Sequence, residues 1–262
     1  MMNERMRTVK YKKIIYARPE NVPLYLDLIR PEAAGCFPCI VMVHGGGWCI
    51  GDRAGAEALA VRLAAAGYVV ANIDYRLAPF YPFPAARDDV RAAVEWMSDH
   101  AGEYDGDGAA VGAFGSSSGG HLVALLATMS DTPLACAVSW GGPMDLRDGG
   151  GVCRKMQGFA LAFLGTCIHD DPDRYADASP RCHLTANMAP LLMVHGTEDD
   201  LVPLAQPRRM LQAAEALGAS VEALFLDGAG HNPGSPRDPL MIMAWQRIND
   251  FYTRHLRSCA VG

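Results

Sequence analysis

Gly115-Ser116-Ser117-Ser118-Gly119 centres a serine in a G-x-S-x-G set, with the apolar run 109–114 before it and the apolar pattern 119–129 after it. The first run reads as a strand and the second as a helix. A hydroxyl on a strained strand-to-helix turn stands above the sheet edge, at a helix N-terminus that favours a developing anion. The chemistry served by such a group is nucleophilic attack on an acyl carbon. Ser117 is therefore the candidate nucleophile, since Ser116 and Ser118 lack the central position. A plain Gly/Ser-rich loop would carry the same letters, but not the strand and helix on either side.

Acyl transfer also needs donors for a tetrahedral oxyanion. His44-Gly45-Gly46-Gly47-Trp48 ends the apolar run 39–44. Three successive glycines let amides turn inward and let a substrate approach closely. The amide of Ser118, the residue after the nucleophile, adds a donor from the elbow. A general base is expected late in the chain, because the order in elbow hydrolases is serine, acid, histidine. Gly228-Ala229-Gly230-His231 puts a lone histidine on a tight loop after an expected strand, which makes His231 the candidate. His44, His121 and His195 read as structural histidines. The acid that fixes the imidazole tautomer has several candidates. Glu198, Asp199 and Asp200 stand together after one strand, and Asp145 follows another.

The elements that must position these groups alternate along the chain. Short apolar, β-branched runs at 8–16, 23–30, 39–44, 68–74, 109–114, 135–140, 190–195 and 221–227 read as strands. Helical patterns occupy 54–66, 84–100, 119–129, 205–217 and 239–256. Such alternation predicts a single α/β domain over 1–262, with a mainly parallel sheet covered by helices on both faces. The first two strands read as an antiparallel pair. Residues 141–189 are the one long interruption, with a short apolar pattern at Met156, Phe159, Ala160, Phe163 and Leu164. An insertion of that length between core strands predicts a lid over the site.

Composition removes other classes of function. The net charge is -6 and no dense Lys/Arg block occurs, which argues against nucleic acid or an anionic membrane as partner. No apolar run is long enough to span a bilayer, and the N-terminal residues lack a secretory apolar core. A cytoplasmic location is expected, with a homodimer left open. The eight cysteines show no framework spacing, and Cys36-x-x-Cys39 has no second pair to complete a zinc site. They read as free thiols, with no metal or cofactor expected.

HGGGW (44–48), DYRLAP (74–79), FPAARDD (83–89), GSSSGGH (115–121), HGTEDDLVP (195–203) and GAGH (228–231) together resemble the hormone-sensitive-lipase-like and related small bacterial carboxylesterases. The resemblance covers about residues 40–231 and implies the α/β-hydrolase fold. It places the nucleophile on Ser117, the acid on Asp199, the base on His231 and the oxyanion donors on the amides of Gly46, Gly47 and Ser118. Two departures stand out. Only 43 residues precede HGGGW, too few for the helical N-terminal cap of the larger relatives. The elbow also has Ser116 and Ser118 where that family usually has Asp or His, and Ala. The implied activity is hydrolysis of short-chain acyl esters of small molecules. Amide cleavage of the aryl-formamidase type and acetyl-xylan or feruloyl ester cleavage are alternatives. A non-catalytic binder resembling the related plant hormone receptors is a third class, and it would lack the histidine that is present here at 231. Trp48 and Trp140 are the expected substrate-binding residues, with Met144, Phe159 and Phe163 near the expected lid.

Overall fold

The structure is a computed structural model that describes residues 6–129, 131–147, 154–232, 234–235 and 237–256. Its strands are β1 (Thr8–Ala17), β2 (Leu24–Pro31), β3 (Phe37–Val43), β4 (Val69–Ile73), β5 (Gly106–Ser116), β6 (Leu134–Trp140), β7 (Leu191–Gly196) and β8 (Val221–Leu226). They form one sheet in the order β1-β2-β4-β3-β5-β6-β7-β8. β1 and β2 pair antiparallel, β2 joins β4 antiparallel, and every later pairing is parallel.

Because the central strands are buried on both faces, they need apolar residues at every position rather than an alternation. β3 shows this directly. Cys39, Val41 and Val43 join the core on one face, while Ile40 and Met42 join the core on the other. The first core is completed by α2 (Ala85–His100), α3 (Ser118–Ala127) and α6 (Ala205–Leu217). The second is completed by α1 (Arg53–Ala64) and α7 (Pro239–His255). α2 turns Val90, Ala93, Val94 and Met97 inward at helical spacing, and all ten residues of α3 are buried. α3 thus has no solvent face and is the internal pillar of the first layer.

The interruption at 141–189 contains α4 (Arg154–Leu164), α5 (Pro172–Asp177) and a 3-10 turn at Pro180–His183. α4 is anchored in the first core by Met156, Ala160, Phe163 and Leu164. Phe163 stacks on Trp48 with ring centroids 4.6 Å apart, and its carbonyl accepts the amide of Phe83 at 2.7 Å. Burying an aromatic side chain of this size stabilises by about 1.5–3 kcal/mol, so α4 is part of the core. One expectation about cysteines is corrected: Cys36 is disulfide-bonded, whereas Cys39, Cys49, Cys136, Cys167 and Cys182 are free thiols. Spacing alone could not show this, since a bridge depends on which chain segments the fold brings together.

Candidate active site

Ser117 sits between β5 and α3 with φ 53° and ψ −119°. A non-glycine residue in such a conformation carries on the order of 1–3 kcal/mol of strain, held in place by its surroundings. Those surroundings are visible. The amide of Ser117 donates to the carbonyl of Trp140 at 2.7 Å, tying the turn to β6. A Cβ at Gly119 would fall 2.2 Å from the carbonyl oxygen of Val43, so only glycine lets α3 press against the end of β3.

The sheet order decides which groups meet at this turn. The loop after β3 lies on one side of Ser117, and the loops after β7 and β8 lie on the other. From the latter side the Nε2 atom of His231 reaches the Ser117 hydroxyl at 2.9 Å. Its Nδ1–H donates to Oδ2 of Asp199 at 2.7 Å. Oδ1 of Asp199 accepts the amides of Leu201 at 2.9 Å and Val202 at 2.8 Å. Burial pushes the Asp199 carboxyl up, but the His231 and Val202 hydrogen bonds outweigh it and hold the group below its ordinary value. His195 braces the same loop, donating from Nε2 to the Val202 carbonyl at 2.7 Å. Burial lowers its pKa, so it is neutral near pH 7. Asp200 and Glu198 are exposed. Asp145 is engaged elsewhere, by the guanidinium groups of Arg147 and Arg181. Burial pushes it up, yet those bonds hold it at about 2.

The loop after β3 is folded on itself. The carbonyl of Gly46 accepts the amides of Cys49 at 3.2 Å and Ile50 at 3.1 Å. Among the described residues no acceptor takes the amides of Gly46 or Gly47, and that of Ser118, at the first position of α3, has no acceptor within its own helix. His44 donates from Nδ1 to the Gly45 carbonyl at 2.7 Å and stacks on Tyr75 at 4.3 Å. Its Nε2 is buried without a partner among the described residues, which agrees with a pKa lowered by burial. The Tyr75 hydroxyl donates to the His44 carbonyl at 3.1 Å.

A cavity of about 270 Å³ opens over Ser117. Gly45, Gly46, Gly47 and Ile50 line it on one side, Leu201, His231 and Asn232 on another, and Met156 and Phe159 come from α4. The two tryptophans expected to contact substrate do not line it. Trp48 is fully buried, donating from Nε1 to Nδ1 of His121 at 3.2 Å. Trp140 lies on the opposite face of the sheet, stacked with Trp245. Their size suggested a pocket wall, but each turns its ring into the core. Ile50 and Asn232 are near neighbours of motif residues, and adjacency was the available signal; Leu201 lies within the HGTEDDLVP motif without a role read for it. Met156 lies three positions before Phe159, hence on the same helix face.

The BD-FAE family model matches residues 26–213. The chain belongs to the BD-FAE family. This BD-FAE member is similar to several proteins of Mycobacterium tuberculosis. Esterase LipC is 33% identical over 211 residues, covering 74% of this chain and 52% of LipC. The probable carboxylic ester hydrolase LipM is 32% identical over 208 residues, covering 70% and 47%. The chain thus spans about half the length of these relatives. Among solved structures, the thermophilic esterase Est2 of Thermogutta terrifontis matches with a TM-score of 0.78 at 24% identity, covering 95% of this chain and 94% of Est2. A truncated carbohydrate esterase from gut microbiota matches with a TM-score of 0.80 at 22% identity, covering 97% and 98%. The fold is the α/β-hydrolase fold. No helix among the described residues is long and apolar enough to cross a membrane.

Proposed function

We propose that this chain is a serine carboxylesterase acting on short-chain acyl esters of small molecules through an acyl-enzyme on Ser117. The observation that carries the reading is the continuous hydrogen-bond chain from the Ser117 hydroxyl through His231 to the buried Asp199. In this mechanism the Ser117 Oγ attacks the ester carbon while its proton passes to Nε2 of His231. Asp199 stabilises the imidazolium through Nδ1–H. The amides of Gly46, Gly47 and Ser118 receive the oxyanion; that they have no other backbone acceptor among the described residues supports this role. Nε2 then returns the proton to the departing alkoxide. Water, deprotonated by the same nitrogen, cleaves the acyl-enzyme.

A cavity of about 270 Å³ is smaller than most pockets for drug-sized ligands, which supports short acyl groups. The contribution of α4 to its wall supports reading 141–189 as a cover over the site. The five free thiols among the described residues support a cytoplasmic location, and the disulfide at Cys36 counts against it. The test is labelling with a fluorophosphonate followed by peptide mapping. Modification on Ser117 is expected, and turnover of p-nitrophenyl acetate by Ser117→Ala should fall by ~10⁶. Label on a different residue of active protein would remove the assignment.

A further inference from the structure

The cavity has two sides, and the sheet order separates them. His231, with Asn232 beside it and Leu201 on the neighbouring loop, stands on the β7–β8 side of Ser117. Gly46, Gly47 and Ile50 stand on the β3 side. Nε2 of His231 must reach the leaving oxygen to protonate it, so an alcohol group has to occupy the β7–β8 side. The acyl chain is then directed to the other wall. Phe159, from α4, stands on that wall. Phe159 lies directly on the loop after β3, since a Cβ at Gly47 would fall 2.5 Å from Cγ of the Phe159 ring. Gly47 itself has φ +59°, so the loop can neither carry a side chain there without strain nor yield the space to one.

The ring is also held from behind. It is half-buried against the first core, on a helix fixed by fully buried Phe163 and Leu164. Met156, one turn earlier, lines the same wall. We infer that Phe159 is the specificity-determining residue that sets the upper length of the acyl chain, by standing where the chain would extend past the oxyanion loop. This inference rests on the carboxylesterase reading and names the residue that selects among its substrates.

The physical consequence is graded. A methylene that finds apolar surface gains about 0.8 kcal/mol, about fourfold in rate constant, and one that meets the ring gains nothing or is excluded. Room for two further methylenes therefore amounts to roughly fifteenfold in relative kcat/KM on the same scale.

The experiment measures kcat/KM for p-nitrophenyl acetate, butyrate, hexanoate and octanoate with the wild-type chain and with Phe159→Ala, Phe159→Leu and Phe163→Leu. Each protein is also checked for melting temperature and for fluorophosphonate labelling of Ser117. Phe159→Ala should raise the octanoate-to-acetate ratio by at least tenfold, with Phe159→Leu in between. Phe163→Leu, altering a buried ring that does not line the cavity, should lower the melting temperature and leave the ratio as in wild type. The inference is overturned if the ratio of both Phe159 variants stays within threefold of wild type, or if Phe163→Leu moves it as far. A wild-type chain that cleaves none of these esters and takes no label would instead bring down the carboxylesterase reading itself.

Discussion

At the scale of single residues, three adjacent acids divide their tasks through backbone geometry. Asp199 turns inward because its Oδ1 caps the amides of Leu201 and Val202, which aims Oδ2 at His231. Asn at this position keeps an oxygen for both amides but presents an NH₂ group to Nδ1, which forces the imidazole into the wrong tautomer. In the proposed mechanism Asp199→Asn should lower kcat by roughly 10⁴ while the fold persists. Asp200→Asn, on an exposed side chain, should leave kcat near wild type. Steady-state kinetics on the two purified variants check this, and the reverse order would move the acid by one residue. That Ser117, Asp199 and His231 meet was expected from sequence, Ser117 and His231 from their motifs and Asp199, among neighbouring acids, only from the family resemblance. The roles of Trp48 and Trp140 were not legible. A large aromatic next to a motif faces the cavity or the core according to one backbone turn, and at Trp48 that turn has φ 62°.

At the scale of elements, α3 does more than follow Ser117. Its His121 is fully buried and uses both ring nitrogens, accepting from Trp48 and donating from Nε2 to the Ala178 carbonyl at 2.7 Å. It thereby ties the loop after β3, α3 and the end of α5 into one unit. Burial lowers its pKa to about 4, so the unfolded chain binds a proton there that the folded chain refuses. Stability from this group is fully present above about pH 6.5 and is lost as the pH falls toward 4, on the order of 3 kcal/mol in all. Asp145, held at about 2, adds its own loss only below the ordinary carboxylate value of about 3.9. Urea unfolding at pH 7.5, 6, 5 and 4.5 should show the decline, and His121→Gln should be less stable at pH 7.5 with a flatter profile. An equal slope in both proteins would rule out His121 as its source. The helices and strands themselves were largely readable, because buried parallel strands and amphipathic helices leave strong patterns. α5 and the 3-10 turn at Pro180–His183 were not, since elements of four to six residues are too short to display a period.

At the scale of the molecule, the candidate site exists only as a property of the sheet. β3, β5, β7 and β8 each deliver one part, and β7 pairs with β8 in a register that runs from Leu191 against Val221 to Gly196 against Leu226. A slip of one residue would turn the inward side chains of a strand outward. Loss of ester hydrolysis on heating should therefore coincide with loss of far-UV circular dichroism, a single midpoint for both probes. Inactivation well below the structural transition would show that the loops open on their own. The expectation of a mostly parallel sheet followed from the alternation of elements, whereas the order of its strands, which sets what lies on each side of Ser117, is written in no local pattern. That order also has a practical side. Gly218, at the exposed turn between α6 and β8 with φ +67° and no neighbour within 4 Å of its would-be Cβ, divides the polypeptide into a piece holding the hydroxyl and the acid and a piece holding the imidazole. In the proposed mechanism neither piece alone is complete. Fused to two proteins that bind each other, the halves should turn over a chromogenic ester faster than the unfused pair of pieces if the proposed mechanism holds.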